Sequence, residues 1–252
     1  MDRPEIAIVT GAGRGLGQAT ALALAENGYR VVVATRSAAS ADAVVSRIGE
    51  AGGEALPLQL DIGDPRSIGS ATTTLLAAVA AKWPASPLSV LVNNAGIGHF
   101  APLGEVSAAD FDDTFAVNVR GPFLLIQALA PHLAEGGRVV TLSSSLSRHV
   151  SPATAVYAAS KAAVEALSRS LALELGRRGI RINTIAPGPT ATDFNGGAMR
   201  DDAELRAGLS QQTALGKVGE PAEIADAVVT LVAPGMRWVT GERLEVSGGV
   251  LL

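Results

Sequence analysis

Tyr157 and Lys161 stand four residues apart in the stretch Y-A-A-S-K. On an α-helix that spacing puts both side chains on one face. A free phenol titrates near about 10, too high to exchange protons readily at neutral pH, and a neighbouring ammonium favours the phenolate and lowers that value. Acid–base catalysis works best with a group that titrates near the operating pH. The pair therefore reads as a proton donor beside a charge that tunes it. The alternative is an ordinary exposed helix pair. Ala158, Ala159 and Ser160 leave room for a ligand to approach this face, and they also suit helix packing.

A second stretch, T-G-A-G-R-G-L-G from Thr10 to Gly17, has the chemistry of a phosphate loop. Glycines allow a sharp turn and a close backbone approach to a pyrophosphate, and a following helix N-terminus offers N–H groups and a positive dipole end. The strict G-x-G-x-x-G spacing fails, because Leu16 stands where the third glycine would be. Gly11, Gly15 and Gly17 fit T-G-x-x-x-G-x-G instead, with Gly13, Arg14 and Leu16 between them. A glycine-rich turn without a ligand is the alternative.

The elements around these stretches follow from patterning. The chain has 252 residues, no cysteine, 48% hydrophobic and 17% charged residues, and a net charge of −4. Such a composition supports one large folded α/β domain, and it excludes disulfides, thiol catalysis and a massed basic surface for nucleic acid or membrane. Apolar runs occur at Ile6–Thr10, Arg30–Ala34, Ala55–Leu60, Leu88–Asn93, Arg138–Leu142, Ile180–Ala186 and Arg243–Val246. Most are apolar at successive positions, as strands buried on both faces are. Segments with helical spacing lie between them at Leu16–Asn27, Ala39–Ala51, Pro65–Lys82, Ala108–Ala134, Thr154–Arg178 and Pro221–Val232. The alternation predicts a doubly wound (Rossmann) parallel sheet with helices on both faces. The stretch from Pro187 to about Leu215 reads as irregular and follows a strand end, which makes it a candidate lid. The three histidines, His99, His132 and His149, lack metal-ligand spacing and read as surface or loop residues; no metal is expected. Met1–Glu5 is a short charged lead-in with no signal peptide, and no apolar run is long enough to span a bilayer, so a cytoplasmic protein is expected.

These motifs, in this order, resemble the short-chain dehydrogenase/reductase family over nearly the whole chain. The likeness rests on the glycine loop, Asp61 after the third strand, N-N-A-G at Asn93–Gly96 and Asn118 in a long helix. It continues with Ser144 after the fifth strand, Y-A-A-S-K, Pro187–Gly188 after the sixth, and T-G-E-R-L-E-V-S-G-G from Thr240 to Gly249. The resemblance implies a seven-stranded parallel sheet, a nicotinamide cofactor and hydride exchange between a ketone and a secondary alcohol. It assigns Tyr157 as general acid/base, and Lys161 as the residue that lowers its pKa and binds the nicotinamide ribose. Ser144, thirteen positions before Tyr157, is assigned to the reacting oxygen, with Ser143 and Ser145 as neighbours one step away. Asn118 matches a residue that holds a water beside the lysine; a buried asparagine bonded to backbone is the alternative. Asp61 and Ile62 match residues beside the adenine, with a strand-end or capping role as the alternative for Asp61. Asn94, Ala95 and Gly96 match ribose-lining residues, Asn93 having a structural reading, and Pro187, Gly188, Thr190 and Thr192 match the segment beside the nicotinamide and phosphates.

The second strand runs R-V-V-V-A-T-R-S. An NAD-selective site places an acid at its end. Thr35 stands there and Arg36 follows; with Arg14 they could hold a 2′-phosphate, so NADPH/NADP+ is expected over NADH/NAD+. Solvated surface arginines are the alternative. Reductases of 3-oxoacyl-acyl-carrier-protein look similar overall, but their carrier-docking basic positions align with Glu135 and Leu173, unless the alignment shifts to Arg138 or Arg177. A smaller free substrate is expected; a nucleotide-binding regulator without turnover is a further alternative. The resemblance also implies a homotetramer, and Val117–Leu133 and the terminal Val250–Leu252 are apolar segments that either meet a partner or pack inside the monomer.

Overall fold

A computed structural model describes residues 4–252. Part of the Met1–Glu5 lead-in, and the expected domain start at Met1, therefore lie outside the described residues. Strands β1 (Ile6–Thr10), β2 (Arg30–Thr35), β3 (Ala55–Gln59), β4 (Leu88–Asn93), β5 (Arg138–Leu142), β6 (Arg181–Pro187) and β7 (Arg243–Val246) pair in parallel, in the order β3-β2-β1-β4-β5-β6-β7.

Successive strand residues point to opposite faces. Ile6 and Ile8 of β1 join a core with Ile68 and Leu75 of helix α3 (Pro65–Lys82), Leu125 and Leu129 of α5 (Gly121–Leu129) and Ala172 of α6 (Ala155–Leu175). Ala7 and Val9 join the other core, with Leu24 of α1 (Gly15–Glu26), Val44 and Ile48 of α2 (Ala38–Glu50) and Val228 of α9 (Pro221–Val232). Both faces are covered, so both sets of residues must be apolar. Each fully buried Val, Leu or Ile contributes about 1.5–3 kcal/mol. The edges differ. β3 buries Ala55 and Leu58, exposes Pro57 and Gln59, and tolerates that proline because an edge strand needs fewer ladder donors. β7 is only partly buried.

The expected helix Ala108–Ala134 is divided. α4 (Ala108–Phe115) passes into a π-turn at Ala116–Arg120, then α5, then a short 3-10 turn at Ala130–His132. Gly121 and Pro122 mark the junction, and a Cβ on Gly121 would overlap the Ile62 carbonyl oxygen, so α5 starts in close contact with the loop after β3. The stretch after β6 is less irregular than its sequence suggests: it contains α7 (Ala198–Asp201) and α8 (Ala203–Gln211). The Asp202 carboxylate accepts from the amides of Glu204 and Leu205 and caps α8. Local capping of this kind sets a helix without an apolar stripe to announce it.

β1 lies between β2 and β4, so the chain leaves the centre of the sheet in both directions. In such a sheet the crevice opens at the carboxyl ends of the strands where the order reverses. Among the described residues no helix is long and apolar enough to cross a membrane.

Candidate active site

A cavity of ≈ 750 Å³ occupies that crevice. One end is built by the turn after β1. Gly11 and Gly15 have φ of +64° and +53°, in the left-handed region that glycine adopts freely. A Cβ on Gly17 would overlap the Gly11 carbonyl oxygen, so this glycine lets helix and loop touch. The loop is tied to the segment after β4. Thr10 Oγ1 accepts from the amides of Asn94 and Ala95 at 3.1 Å each, and Asn94 Nδ2 donates to the Thr10 and Gly11 carbonyls at 2.9 and 3.2 Å. α1 begins without a side-chain cap and without an acid in its first turn. Its leading amides and positive dipole end therefore face the cavity, an arrangement that suits a pyrophosphate.

At the end of β2, Thr35 is buried and donates to the Ser37 carbonyl at 2.6 Å. Arg14 and Arg36 line the cavity, are exposed, and have no ion pair or side-chain hydrogen bond among the described residues. No carboxylate stands at the β2 terminus. Asp61 also lines the cavity, and its Oδ1 accepts from the Gly63 amide at 3.0 Å in a local turn. The helix cap itself is Asp64. These residues fit a dinucleotide with a 2′-phosphate: uncapped amides for the pyrophosphate and two unpaired guanidinium groups for the added charge.

The other end is buried. Tyr157 and Lys161 lie on one face of α6, with the Lys161 Nζ 5.6 Å from the tyrosine ring centroid and donating to the Leu142 carbonyl at 2.8 Å. Ser144 leads the short turn Ser145–Ser147, accepts from the Leu146 amide at 3.2 Å, and is hydrogen-bonded to the Tyr157 phenol. Ser143 instead donates to Glu165 Oε1 at 2.5 Å, so of the adjacent serines Ser144 is the one joined to the phenol. The sequence led to the expectation that Lys161 lowers the phenol's pKa. In this structure burial dominates and pushes Tyr157 up to about 12, against the opposing hydrogen bond from Ser144. Burial also draws Lys161 down to about 8. Desolvation disfavours the charged form of each group, and it acts on both here.

The serine loop is braced by charge. Arg243 Nε meets Glu165 Oε1 at 2.7 Å, its Nη1 meets Glu245 Oε2 at 2.8 Å, and its Nη2 donates to the Ser144 carbonyl at 3.2 Å. Glu165 also accepts from Ser147 Oγ at 2.6 Å. Burial works against the Arg243 charge, and the hydrogen bonds to Glu245 and Glu165 outweigh it, so its pKa is raised.

Every expected site residue but Asn118 lines this one cavity: Gly11, Gly13, Arg14, Gly15, Leu16, Gly17, Thr35, Arg36, Asp61, Ile62, Asn94, Ala95, Gly96, Ser144, Tyr157, Lys161, Pro187, Gly188, Thr190 and Thr192. Asn118 sits behind the wall, in the π-turn. Its Oδ1 accepts from the Ile97 amide at 2.9 Å, and its Nδ2 donates to the Ile97 carbonyl at 2.8 Å and to Ser160 Oγ at 3.0 Å. It makes the backbone-bonded contact that was the alternative reading. Several lining residues carry no motif. Phe100 and Phe194 place their ring centroids 5.2 and 5.8 Å from that of Tyr157. Leu146, Val150, Met199, Leu209 and Gln212 line the cavity as well. So does His149, which corrects its expected role as a plain loop histidine. A Cβ on Gly98 would come within 2.8 Å of Phe100, so the glycine lets this ring approach.

A family model described as Enoyl-(Acyl carrier protein) reductase matches residues 11–251. An uncharacterized oxidoreductase of Methylorubrum extorquens is 42% identical over 247 residues, covering 98% of this chain and 97% of that protein. Versicolorin reductase 1 of Aspergillus parasiticus is 36% identical, covering 97% and 95%. The angucycline C-6 ketoreductase LanV, solved with bound NADP, superposes with a TM-score of 0.92 at 37% identity, covering 98% and 95%. The chain belongs to the short-chain dehydrogenase/reductase family.

Proposed function

We propose that this protein is an NADP(H)-dependent reductase of ketones that runs in reverse as a secondary-alcohol dehydrogenase. The observation that carries the reading is the buried phenol of Tyr157, hydrogen-bonded to Ser144 and set beside Lys161 in the cavity that the glycine loop opens. With its pKa raised, the phenol holds its proton at neutral pH and is ready to give it to a carbonyl oxygen. Ser144 holds the same oxygen in place. Lys161 backs the phenol from the next helical turn. Arg14 and Arg36 grip the 2′-phosphate, and the amides that open α1 face the pyrophosphate. NADPH, when bound, supplies the hydride. Atoms balance: the carbonyl carbon gains a hydride, and its oxygen gains the Tyr157 proton. Versicolorin reductase 1 and the C-6 ketoreductase LanV support reduction of a carbonyl group, and the NADP bound to LanV supports the cofactor.

The chain works as one domain in this reading, with 188–215 as its substrate lid and Asn118 supporting Lys161 from behind. Carrier-bound substrates fit poorly. Glu135 is committed to Arg178 at 2.7 Å, Leu173 is 84% exposed, and Arg138 is held by Glu5. A cytoplasmic homotetramer completes the proposal. Val117–Leu133 does not argue for it, because Leu125, Ile126, Leu129 and Leu133 pack inside the monomer. Leu173, Trp238 and Leu252, all strongly exposed, do. The decisive assay follows NADPH and NADH oxidation against a panel of aryl, cyclic and alkyl ketones and a 3-oxoacyl carrier thioester. Turnover of free ketones, faster with NADPH, is expected; no oxidation with any ketone would defeat the reading.

A further inference from the structure

We propose that His149 binds a hydroxyl group carried on the ring-bearing body of the ketone, with Glu245 and Arg243 as positioning residues that fix its imidazole. The inference rests on the ketone-reductase reading and deepens it to a substrate class: hydroxylated aromatic or polycyclic ketones.

His149 rides on the serine loop, where its backbone amide donates to the Ser145 carbonyl at 2.9 Å. His149 is among the residues that line the cavity. Nε2 lies 3.2 Å from Glu245 Oε1. A carboxylate there accepts, so Nε2 carries the hydrogen. Glu245 is itself held by Arg243. Burial opposes the Glu245 charge, yet the hydrogen bonds from Arg243, Ser247 and His149 lower its pKa, so the acceptor is an ionised carboxylate. Glu245 therefore fixes the ring from the side of β7; the ring's polar contacts among the described residues run through Nε2, and none is made by Nδ1.

That leaves one polar ring atom for a ligand. With the ring neutral, Nδ1 is an acceptor; with the ring protonated, it is a donor. A hydroxyl can meet either state, because it both donates and accepts. A carboxylate would add negative charge next to Glu165 and Glu245, which share the single guanidinium of Arg243. The cavity lining brings apolar Phe100, Leu146, Val150, Phe194, Met199 and Leu209 together with polar Ser145, Ser151, Asp193 and Gln212. Phe100 and Phe194 meet edge-on at 6.2 Å and both pack against Tyr157, so a flat ring system would lie against aromatic faces beside the proton donor. The result is a compartment with an aromatic pair beside the proton donor and, among its lining residues, a histidine held by Glu245. A hydroxylated ring matches it, and an unsubstituted one leaves Nδ1 unpaired.

The test compares α-tetralone with its ring-hydroxylated isomers, using NADPH oxidation for kcat/KM and calorimetry on the NADP+-saturated protein for Kd. At least one isomer should exceed α-tetralone by about tenfold, in KM and Kd more than in kcat, the worth of one hydrogen bond. His149→Phe should bring that ratio close to one. Glu245→Gln, which keeps the bulk and removes the charge that fixes the ring, should lower it several-fold, and so serves if His149→Phe misfolds. Turnover of the ketones with no preferred isomer, or a preference that survives in both variants, overturns the inference and leaves the function intact. Binding of the hydroxylated isomer that depends on His149, without any turnover, supports the inference and overturns the function.

Discussion

The two ends of the cavity hold cations in opposite circumstances. At the adenosine end Arg14 and Arg36 are exposed, unpaired and in water. At the phenol end Lys161 is 5% exposed, and its ordinary pKa of 10.5 falls to about 8 under burial. Water stabilises a charge that waits for a phosphate, whereas removing water makes a proton transferable. Under the proposed function the same kind of residue serves recognition at one end and acid–base chemistry at the other, and desolvation separates the two.

The contrast is most directly broken at the phenol. Tyr157→Phe removes the transferable proton and little else, and should lower turnover by about 10²–10⁴-fold while NADPH still binds. Steady-state rates paired with calorimetry check both halves, and more than about a tenth of the activity remaining would remove Tyr157 from its role.

Next in size is the titration of Lys161. In the cofactor-free protein its amine should titrate near 8 by NMR rather than near 10.5. The folded amine loses its proton first, so from about pH 8 to about pH 10.5 the unfolded chain binds more protons and stability rises with pH, by up to about 3 kcal/mol. Tyr157 acts in the reverse sense above pH 10, since its raised pKa keeps the proton in the folded state after the unfolded chain has lost it. Denaturant unfolding is therefore best followed in the Tyr157→Phe background. A flat stability profile there would contradict the buried-amine assignment.

The smallest effect belongs to the exposed end. Thr35→Asp with Arg36→Ala should convert a preference for NADPH of at least about tenfold into one for NADH, since each charge-assisted bond contributes about 1.5–3 kcal/mol. Unchanged kcat/KM ratios would show that these side chains do not touch the phosphate. Because that end is in water, added salt should erode the wild-type preference there and leave the Lys161 titration nearly unchanged.

The legible parts of the molecule were those written in short stretches. β1, β4, β5 and β7 fall on their expected residues, because the central strands are apolar at successive positions and β7 is closed off by glycines. The glycine loop, Asn94–Gly96 and Tyr157/Lys161 assemble at one crevice as their order implied. What stayed hidden depends on residues distant in sequence. The π-turn at Ala116–Arg120 divides the expected helix just before Gly121 and Pro122, and α8 forms from a cap rather than an apolar stripe. The direction of the Tyr157 shift required knowing its burial. Phe100 and Phe194 meet across the mouth from segments 94 positions apart by number, and no local pattern joins them. His149 looked like any loop histidine until β7 placed Glu245 beside it.

β7 has a further consequence. It is a four-residue edge strand, partly exposed and paired only with β6, yet it delivers Arg243 to the Ser144 carbonyl across 99 positions of sequence. Edge strands are among the first segments to open in native-state fluctuations. Whenever β7 frays, the guanidinium leaves with it and the serine loop loses its brace. Amide exchange at Leu146 should then follow exchange in β7: the order of the serine loop is inherited from the margin of the sheet.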